Sequence, residues 1–266
     1  MRLGLVGGGF MGEGMLRAAL RAGAVTPGDV RVADVSAERR LVLEHSLAVA
    51  TCADPRDVAD SADLIVLAVK PQEFPAAAGR LRGRISPAQT VVSIMAGVRI
   101  ETIARALGHG SVVRVMPNTP ATIGRGMSVW IASPEVADSA REQVRSILVA
   151  MGREVAVSDE RYIDMATALS GSGPGFVYLL MEAFVDAGVH IGFRRDVAEL
   201  LSLQTFLGSA TYAESSGRSP VQLRAEVTSP AGTTAAGILA LEQAGIRAAI
   251  IGAVQAAYDK ARDLGR

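Results

Sequence analysis

Cysteine is all but missing from this chain. Cys52 stands alone, which excludes a disulfide within the chain and leads us to expect a reducing, cytoplasmic setting. Lysine is nearly as scarce, since Lys70 and Lys260 are the only two among 27 basic residues. Histidine occurs at His45, His109 and His190, and none stands beside an acid in a pattern that suggests a hydride-transfer dyad. Net charge is also absent: Lys+Arg and Asp+Glu both number 27, so no nucleic-acid partner is implied. No apolar run is expected to reach the roughly 18–20 residues of a spanning helix, and no charged-then-apolar leader precedes the first strand, so no membrane role is expected. Metal-ligand spacings, internal repeats and low-complexity segments are missing too.

What is present is apolar bulk and glycine in particular places. With 266 residues and 49% hydrophobic content, the chain can bury a sizeable core in one large domain or two. After an apolar strand, Leu3 to Val6, come Gly7-Gly8-Gly9-Phe10-Met11-Gly12 and then the helical spacing Met15, Leu16, Ala19, Leu20, ended by Gly23. This is the G-x-G-x-x-G fingerprint in strand–turn–helix context, whose glycines admit a pyrophosphate to the backbone and to the helix N-terminus. A second strand ends in Asp34, at about the distance where the ribose hydroxyls of a dinucleotide are gripped. NADH or NADPH is therefore the expected cofactor. Asp34 favours NADH because its charge repels a 2′-phosphate, whereas Ser36, Arg39 and Arg40 nearby suit one, so the sequence leaves the choice open.

Strands are expected over 2–6, 30–34, 47–51, 63–69, 90–94, 111–116, 126–131 and 153–157. Alternation with helical segments predicts a mostly parallel sheet, and the doubly apolar run Leu64 to Val69 reads as a central strand. Ligands gather at the carboxyl ends of such strands, which places Ala68, Val69, Lys70, Pro71 and Gln72 at the border of the cofactor. From residue 159 helical periodicity takes over, with helices expected over 159–169, 174–192, 195–216, 219–225 and 230–262. Breaks are expected at Gly171 to Pro174, Gly192 and Ser216-Gly217. The expected architecture is an α/β Rossmann-type doubly wound domain, residues 1–158, followed by an all-α domain, residues 159–266. The segment Phe176 to Val189 is apolar nearly all round, so a second copy of the chain is expected to cover it and make a homodimer or larger homo-oligomer.

The second site candidate is Val227-Thr228-Ser229-Pro230-Ala231-Gly232-Thr233-Thr234. Ser229 reads as a helix N-cap and Pro230 as the first helical residue, which leaves the N–H groups of Ala231, Gly232 and Thr233 free for a carboxylate. The hydroxyls of Thr233 and Thr234 stand beside it.

Taken together, Gly7 to Gly12, Ala68 to Gln72, Ser93 to Gly97 with Val98, Val115 to Pro120, Ser170 to Pro174 and Val227 to Glu242 resemble the pyrroline-5-carboxylate reductase family from first strand to last helix. The resemblance implies reduction of 1-pyrroline-5-carboxylate to proline by NAD(P)H, with Ser229, Ala231, Gly232, Thr233 and Thr234 at the substrate and Thr234 facing the ring nitrogen. It further implies cofactor contacts at Gly7, Gly9, Phe10, Met11, Gly12, Asp34, Ala68, Val69, Lys70, Pro71, Ala96, Gly97 and Asn118, and subunits that interlock to complete each site. Two departures stand out: Phe10 occupies a place usually held by Asn, and Ala231 replaces the first of a usual glycine pair. A β-hydroxyacid or 6-phosphogluconate-type dehydrogenase would need a catalytic lysine from the helical part, and none lies between Lys70 and Lys260. A non-catalytic dinucleotide sensor would leave the Ser229 to Thr234 junction without a task.

Overall fold

Short runs dominated by Val, Leu and Ile form one eight-stranded sheet in the computed structural model, which describes residues 1–265. In chain order the first half comprises β1 Leu3–Val6, α1 Phe10–Arg21, β2 Val30–Ala33, α2 Ala37–Leu47, β3 Ala50–Cys52, α3 Arg56–Ala59, β4 Leu64–Leu67 and α4 Phe74–Leu81. It continues through β5 Thr90–Ser93, α5 Ile100–Leu107, β6 Val112–Met116, β7 Gly126–Ala132, α6 Asp138–Met151, β8 Gly152–Ala156 and α7 Arg161–Ala166. A π-helical turn, Thr167–Gly171, then leads to α8 Gly173–His190, α9 Arg195–Ser216, α10 Pro220–Glu226, α11 Thr233–Gln243 and α12 Ile246–Leu264.

The strand order is β3-β2-β1-β4-β5-β6-β7-β8, with all pairs parallel except β6 with β7. Each of the eight expected strands has a counterpart. The third, expected over 47–51, starts only at Ala50, because α2 runs through Leu47 and Ala48 caps it at φ +54°. The fourth, expected over 63–69, spans Leu64–Leu67. The mostly parallel reading holds because β4 is buried on both faces: Leu64 and Val66 join one apolar cluster, Ile65 and Leu67 the other. Each such leucine or isoleucine contributes about 1.5–3 kcal/mol by leaving water, so the central strands hold the two helical layers to one sheet.

The chain divides into two compact units: residues 1–172 with 257–266, and residues 173–256. Secondary structure changes character at 158/159, just after β8, while compactness changes later. The difference has a cause in β6. Arg114, 1% exposed inside an otherwise apolar strand, donates to Glu160 at 2.7 Å and to Asp164 at 2.9 Å, tying α7 to the sheet.

The second unit is all helical. Gly188 of α8 lies so close to α9 that a Cβ there would sit 2.9 Å from that of Ala198, and Phe184 meets Phe206 edge-on at 5.1 Å. Even at that seam no residue of α8 is buried, and Leu179, Phe184, Leu200, Leu203, Leu207 and Ile251 are exposed.

Three expectations need correction. The break expected at Gly171 to Pro174 is bridged by the π turn, in which the Ser172 N–H reaches Thr167 O at 2.8 Å; Pro174 falls in the first turn of α8, where its missing donor costs nothing. The single helix expected over 230–262 is two, α11 and α12, bent by 52° where Gly245 takes φ +75°. By length and composition the stretch Arg161–His190, through an 18-residue window of mean hydropathy 1.2, is long and apolar enough to cross a membrane, contrary to the expectation that no run would be.

Candidate active site

The dinucleotide fingerprint becomes a cradle because each glycine meets a different constraint. Gly7 takes φ +99°, and a Cβ on it would lie 2.8 Å from the Ala68 carbonyl carbon and the Val69 nitrogen. Gly12 lies against Gly7, where a Cβ would stand 2.4 Å from the Gly7 oxygen. Gly9 is different: a Cβ there would meet nothing within 4 Å. Gly9 is also the N-cap of α1, whose first intrahelical bond is Glu13 N–H to Gly9 O at 2.8 Å. The N–H groups of Phe10, Met11 and Gly12 are thus left without helical partners and without a side-chain cap, as a pyrophosphate site requires. Tight turn, open middle and close helix contact are the three tasks the fingerprint assigns, so these residues fit a dinucleotide. Phe10 projects from this start, 67% exposed.

The remaining cofactor candidates sit at the carboxyl ends of neighbouring strands. The pairings of Val6 with Ala33 and Leu67, and of Leu67 with Ser93, bring these ends level. Asp34 follows β2, Ala68 to Pro71 follow β4, Ala96 and Gly97 follow β5, and Asn118 follows β6. Ala68 and Val69 are half-buried and Lys70 is exposed. Gly97 takes φ +73° and packs on Leu264 at the end of α12, where a Cβ would be 2.7 Å from that of Leu264. The Asn118 amide donates to Ser170 O at 3.1 Å and its oxygen accepts the Met127 N–H at 2.9 Å, so the side chain joins the β6–β7 loop to the π turn.

Around Asp34 lies a polar network. Its Oδ2 accepts the Gly8 N–H at 2.8 Å and its Oδ1 the Ser36 N–H at 2.9 Å. Arg39 donates to Gly8 O and pairs with Glu13, which also takes Arg17 at 2.7 Å. Burial alone would raise the Glu13 carboxyl, but the hydrogen bonds from Arg39 and Arg17 outweigh it and hold the group below the usual carboxylate range. Glu13 escaped the sequence reading; its signal was an acid in the first turn of the fingerprint helix, four residues before Arg17.

The junction before α11 is built differently from the N-cap expected. The Gly232 N–H bonds back to Ser229 O at 3.1 Å, closing a turn over Pro230 and Ala231, and Gly232 caps the helix with no side-chain bond. The first helical bond runs from Ala236 to Gly232, so the orphan donors are Thr233, Thr234 and Ala235 instead of Ala231 to Thr233. Proline at the second position of a turn and a left-handed residue at the third explain the shift. Ala231 takes φ +58°, one of two non-glycine residues at positive φ among the described residues, where glycine would be unstrained. A Cβ on Gly232 would sit 2.4 Å from the Ser229 hydroxyl oxygen, so a larger residue there requires that side chain to turn aside. Thr228 turns away and donates to Arg224 O at 2.6 Å. Among the described residues no group of His, Cys, Asp and Glu is placed to hold a metal.

Residues 160–264 match the family model described as pyrroline-5-carboxylate reductase dimerisation, and residues 2–97 match that of the NADP oxidoreductase, coenzyme F420-dependent. A pyrroline-5-carboxylate reductase of Synechocystis is 37% identical over 266 residues, covering 100% of this chain and 99% of that one. The structure of a pyrroline-5-carboxylate reductase from Coxiella burnetii superposes with a TM-score of 0.90 at 34% identity, covering 100% of this chain and 98% of the other. That of Plasmodium falciparum pyrroline carboxylate reductase, with NADP bound, gives 0.91 at 28% identity, with coverage of 100% and 98%.

Proposed function

Because the chain belongs to the pyrroline-5-carboxylate reductase family, we propose that its Ser229 to Thr234 junction holds the substrate carboxylate and that Thr234 is the residue at the reacting nitrogen. The chain is an NAD(P)H-dependent oxidoreductase that reduces the cyclic imine 1-pyrroline-5-carboxylate to L-proline, the last step of proline biosynthesis. The reduced nicotinamide, when bound, supplies the hydride.

One observation carries the assignment of the junction. The N-terminus of α11 has no side-chain cap, and its first three N–H groups stand beside two threonine hydroxyls behind a tight turn. The N–H groups of Thr233, Thr234 and Ala235 bond the carboxylate, and the positive end of the helix dipole offsets its charge. Ser229, Ala231 and Gly232 shape the turn that keeps this end open. The protonated imine is already electrophilic, so the chain has to orient it and exclude water more than to supply a strong acid. As hydride arrives at the ring carbon, the C=N electron pair withdraws onto nitrogen, and the Thr234 hydroxyl takes the hydrogen bond of the resulting amine. Gly7, Gly9, Phe10, Met11, Gly12, Asp34, Ala68 to Pro71, Ala96 and Gly97 hold the dinucleotide in this proposal, and Asn118 holds the loop that borders it. A lysine-based dehydrogenase mechanism has no support, since the unit spanning 173–256 contains no lysine.

The exposed apolar surface of α8 and α9 lies within the segment matched by the dimerisation model, and the chain is a homo-oligomer. A second copy, not lipid, is the natural cover for Arg161–His190. Light scattering at assay concentration is expected to give a dimer or larger species, and an active, folded monomer would refute it. We place the functional division at 158/159, between the end of the last strand at Ala156 and the start of the dimerisation match at residue 160, and the enzyme in the cytoplasm, a location that a single cysteine supports. A spectrophotometric assay tests the whole reading: substrate-dependent oxidation of NADH or NADPH with 1-pyrroline-5-carboxylate is expected, and its absence with both cofactors would end it.

A further inference from the structure

Ser170 carries a carbonyl that a regular helix could not satisfy. Four residues on stands Pro174, which has no N–H to offer it and whose ring crowds the carbonyl of the fourth residue back. The π turn Thr167–Gly171 shifts the helical ladder here, and the Asn118 amide donates to Ser170 O at 3.1 Å. The turn spends its own hydroxyls internally: Thr167 donates to Ile163 O at 2.8 Å, Ser170 to Ala166 O at 3.0 Å and Ser172 to Thr167 O at 3.0 Å. The same Thr167 oxygen takes the Ser172 N–H at 2.8 Å. What holds the turn from outside is the end of β6. Met116 lies against Gly171, where a Cβ would be 2.6 Å from its Cε, and Asn118 grips Ser170. The Asn118 oxygen is engaged as well, by the Met127 N–H at 2.9 Å. One half-buried amide thus ties the π turn to the start of β7.

From this arrangement we propose that Asn118 is a positioning residue for hydride transfer, acting on the reaction through the π turn and not as a ligand of the cofactor. The proposal rests on the reductase reading. The glycine loop follows β1 in the order β3-β2-β1-β4-β5-β6, so a dinucleotide laid across it has its adenosine toward β2 and β3 and its nicotinamide toward β5 and β6. The end of β6, with the turn pinned to it, stands on the side where hydride leaves. π turns are uncommon in helices and gather at functional sites. Hydride transfer is sensitive to placement, since a shift of about 1 Å from a change away from the chemistry costs about a hundredfold in rate. A turn that loses its one side-chain anchor from β6 is free to make such a shift.

Hydrogen exchange tests the mechanical half of the proposal without substrate. In Asn118→Asp an oxygen replaces the donor that faces the Ser170 carbonyl, while the other oxygen still accepts from Met127. The amides of residues 168–172 should then exchange faster, and those of the glycine loop should not change. Asn118→Ala removes both bonds without adding a charge; it is read in the same way and covers the case that a carboxylate there unfolds the loop. Titration calorimetry with NADPH is expected to give nearly unchanged cofactor affinity in both variants. Turnover at saturating cofactor should fall by about ten- to a hundredfold, with the KM for cofactor nearly unchanged. The deuterium isotope effect on kcat, measured with cofactor deuterated at the transferring position of C4, should rise, because hydride transfer becomes the slow step. Mere loss of folded protein would lower the rate and leave the isotope effect where it was. Unchanged exchange at 168–172 in both variants overturns the proposal, as does full turnover in both. A rate loss that excess cofactor restores overturns it too, since Asn118 would then be a cofactor ligand. An unmodified protein that oxidises neither NADH nor NADPH with 1-pyrroline-5-carboxylate fails the reductase reading, whereas exchange alone decides whether Asn118 fixes the turn.

Discussion

Thr234→Ala is expected to lower turnover by about ten- to a hundredfold while leaving cofactor binding nearly unchanged. The size follows from the partner: a hydrogen bond involving the charged imine nitrogen is worth ~1.5–3 kcal/mol, and each 1.4 kcal/mol is about a factor of ten in rate. The selectivity follows from position. Thr234 lies in the first turn of α11, whereas the glycine loop and Asp34 belong to the other compact unit. Thr228→Ala is the comparison, since that hydroxyl is committed to the Arg224 carbonyl at the end of α10 and should cost less. Steady-state kinetics with saturating cofactor, read beside cofactor titration, check both parts. Full activity in Thr234→Ala with loss in Thr233→Ala would move the reacting hydroxyl by one residue. Full activity in Thr228→Ala, Thr233→Ala and Thr234→Ala alike would take the junction out of the mechanism.

The largest expected effect on stability is at Arg114. Arg114→Met preserves much of the volume and leaves Asp164, with a side chain 7% exposed, as a buried charge without its partner. Breaking a buried pair from one side costs about 3–5 kcal/mol, far more than the intact pair contributes over an apolar replacement. For a chain of this size that lowers the melting temperature by roughly 10 °C. Replacing Asp164 as well, by Leu, should recover most of the loss, because no unpaired charge then remains; Glu160 is 28% exposed and can turn to water. Thermal melts of the single and double variants decide the matter. A double variant as unstable as the single one would mean that Arg114 acts through packing, not charge.

The legible parts of the molecule were those whose cause is local. The eight strands follow from short apolar runs between glycine-rich turns, and the glycine loop and Asp34 follow from spacing that a nucleotide fold demands. Pairings across the chain were not legible. An arginine between Val113 and Val115 signals a buried charge, but nothing near it names Glu160 and Asp164 as partners. The amide of Asn118 reaches Ser170 only because a π turn exposes that carbonyl, and no periodicity marks a π turn in advance. At the junction Ser229-Pro230 has the pattern of a helix start, and the helix begins three residues beyond Pro230 because Ala231 accepts a left-handed conformation more often given to glycine.

The residues from Ala257 onward belong to the same compact unit as the first strand, and the helical unit is threaded between them as an insertion. On the ribosome this order has a cost in time. Domains tend to fold as they emerge, N-terminal part first. Here the nucleotide-binding unit is synthesised early and waits for more than eighty residues of another unit before Leu264 arrives to seat on Gly97. Nascent chains stalled within α11 should therefore carry a Rossmann sheet whose β5–α5 turn is still uncovered, and release of the finished chain closes it.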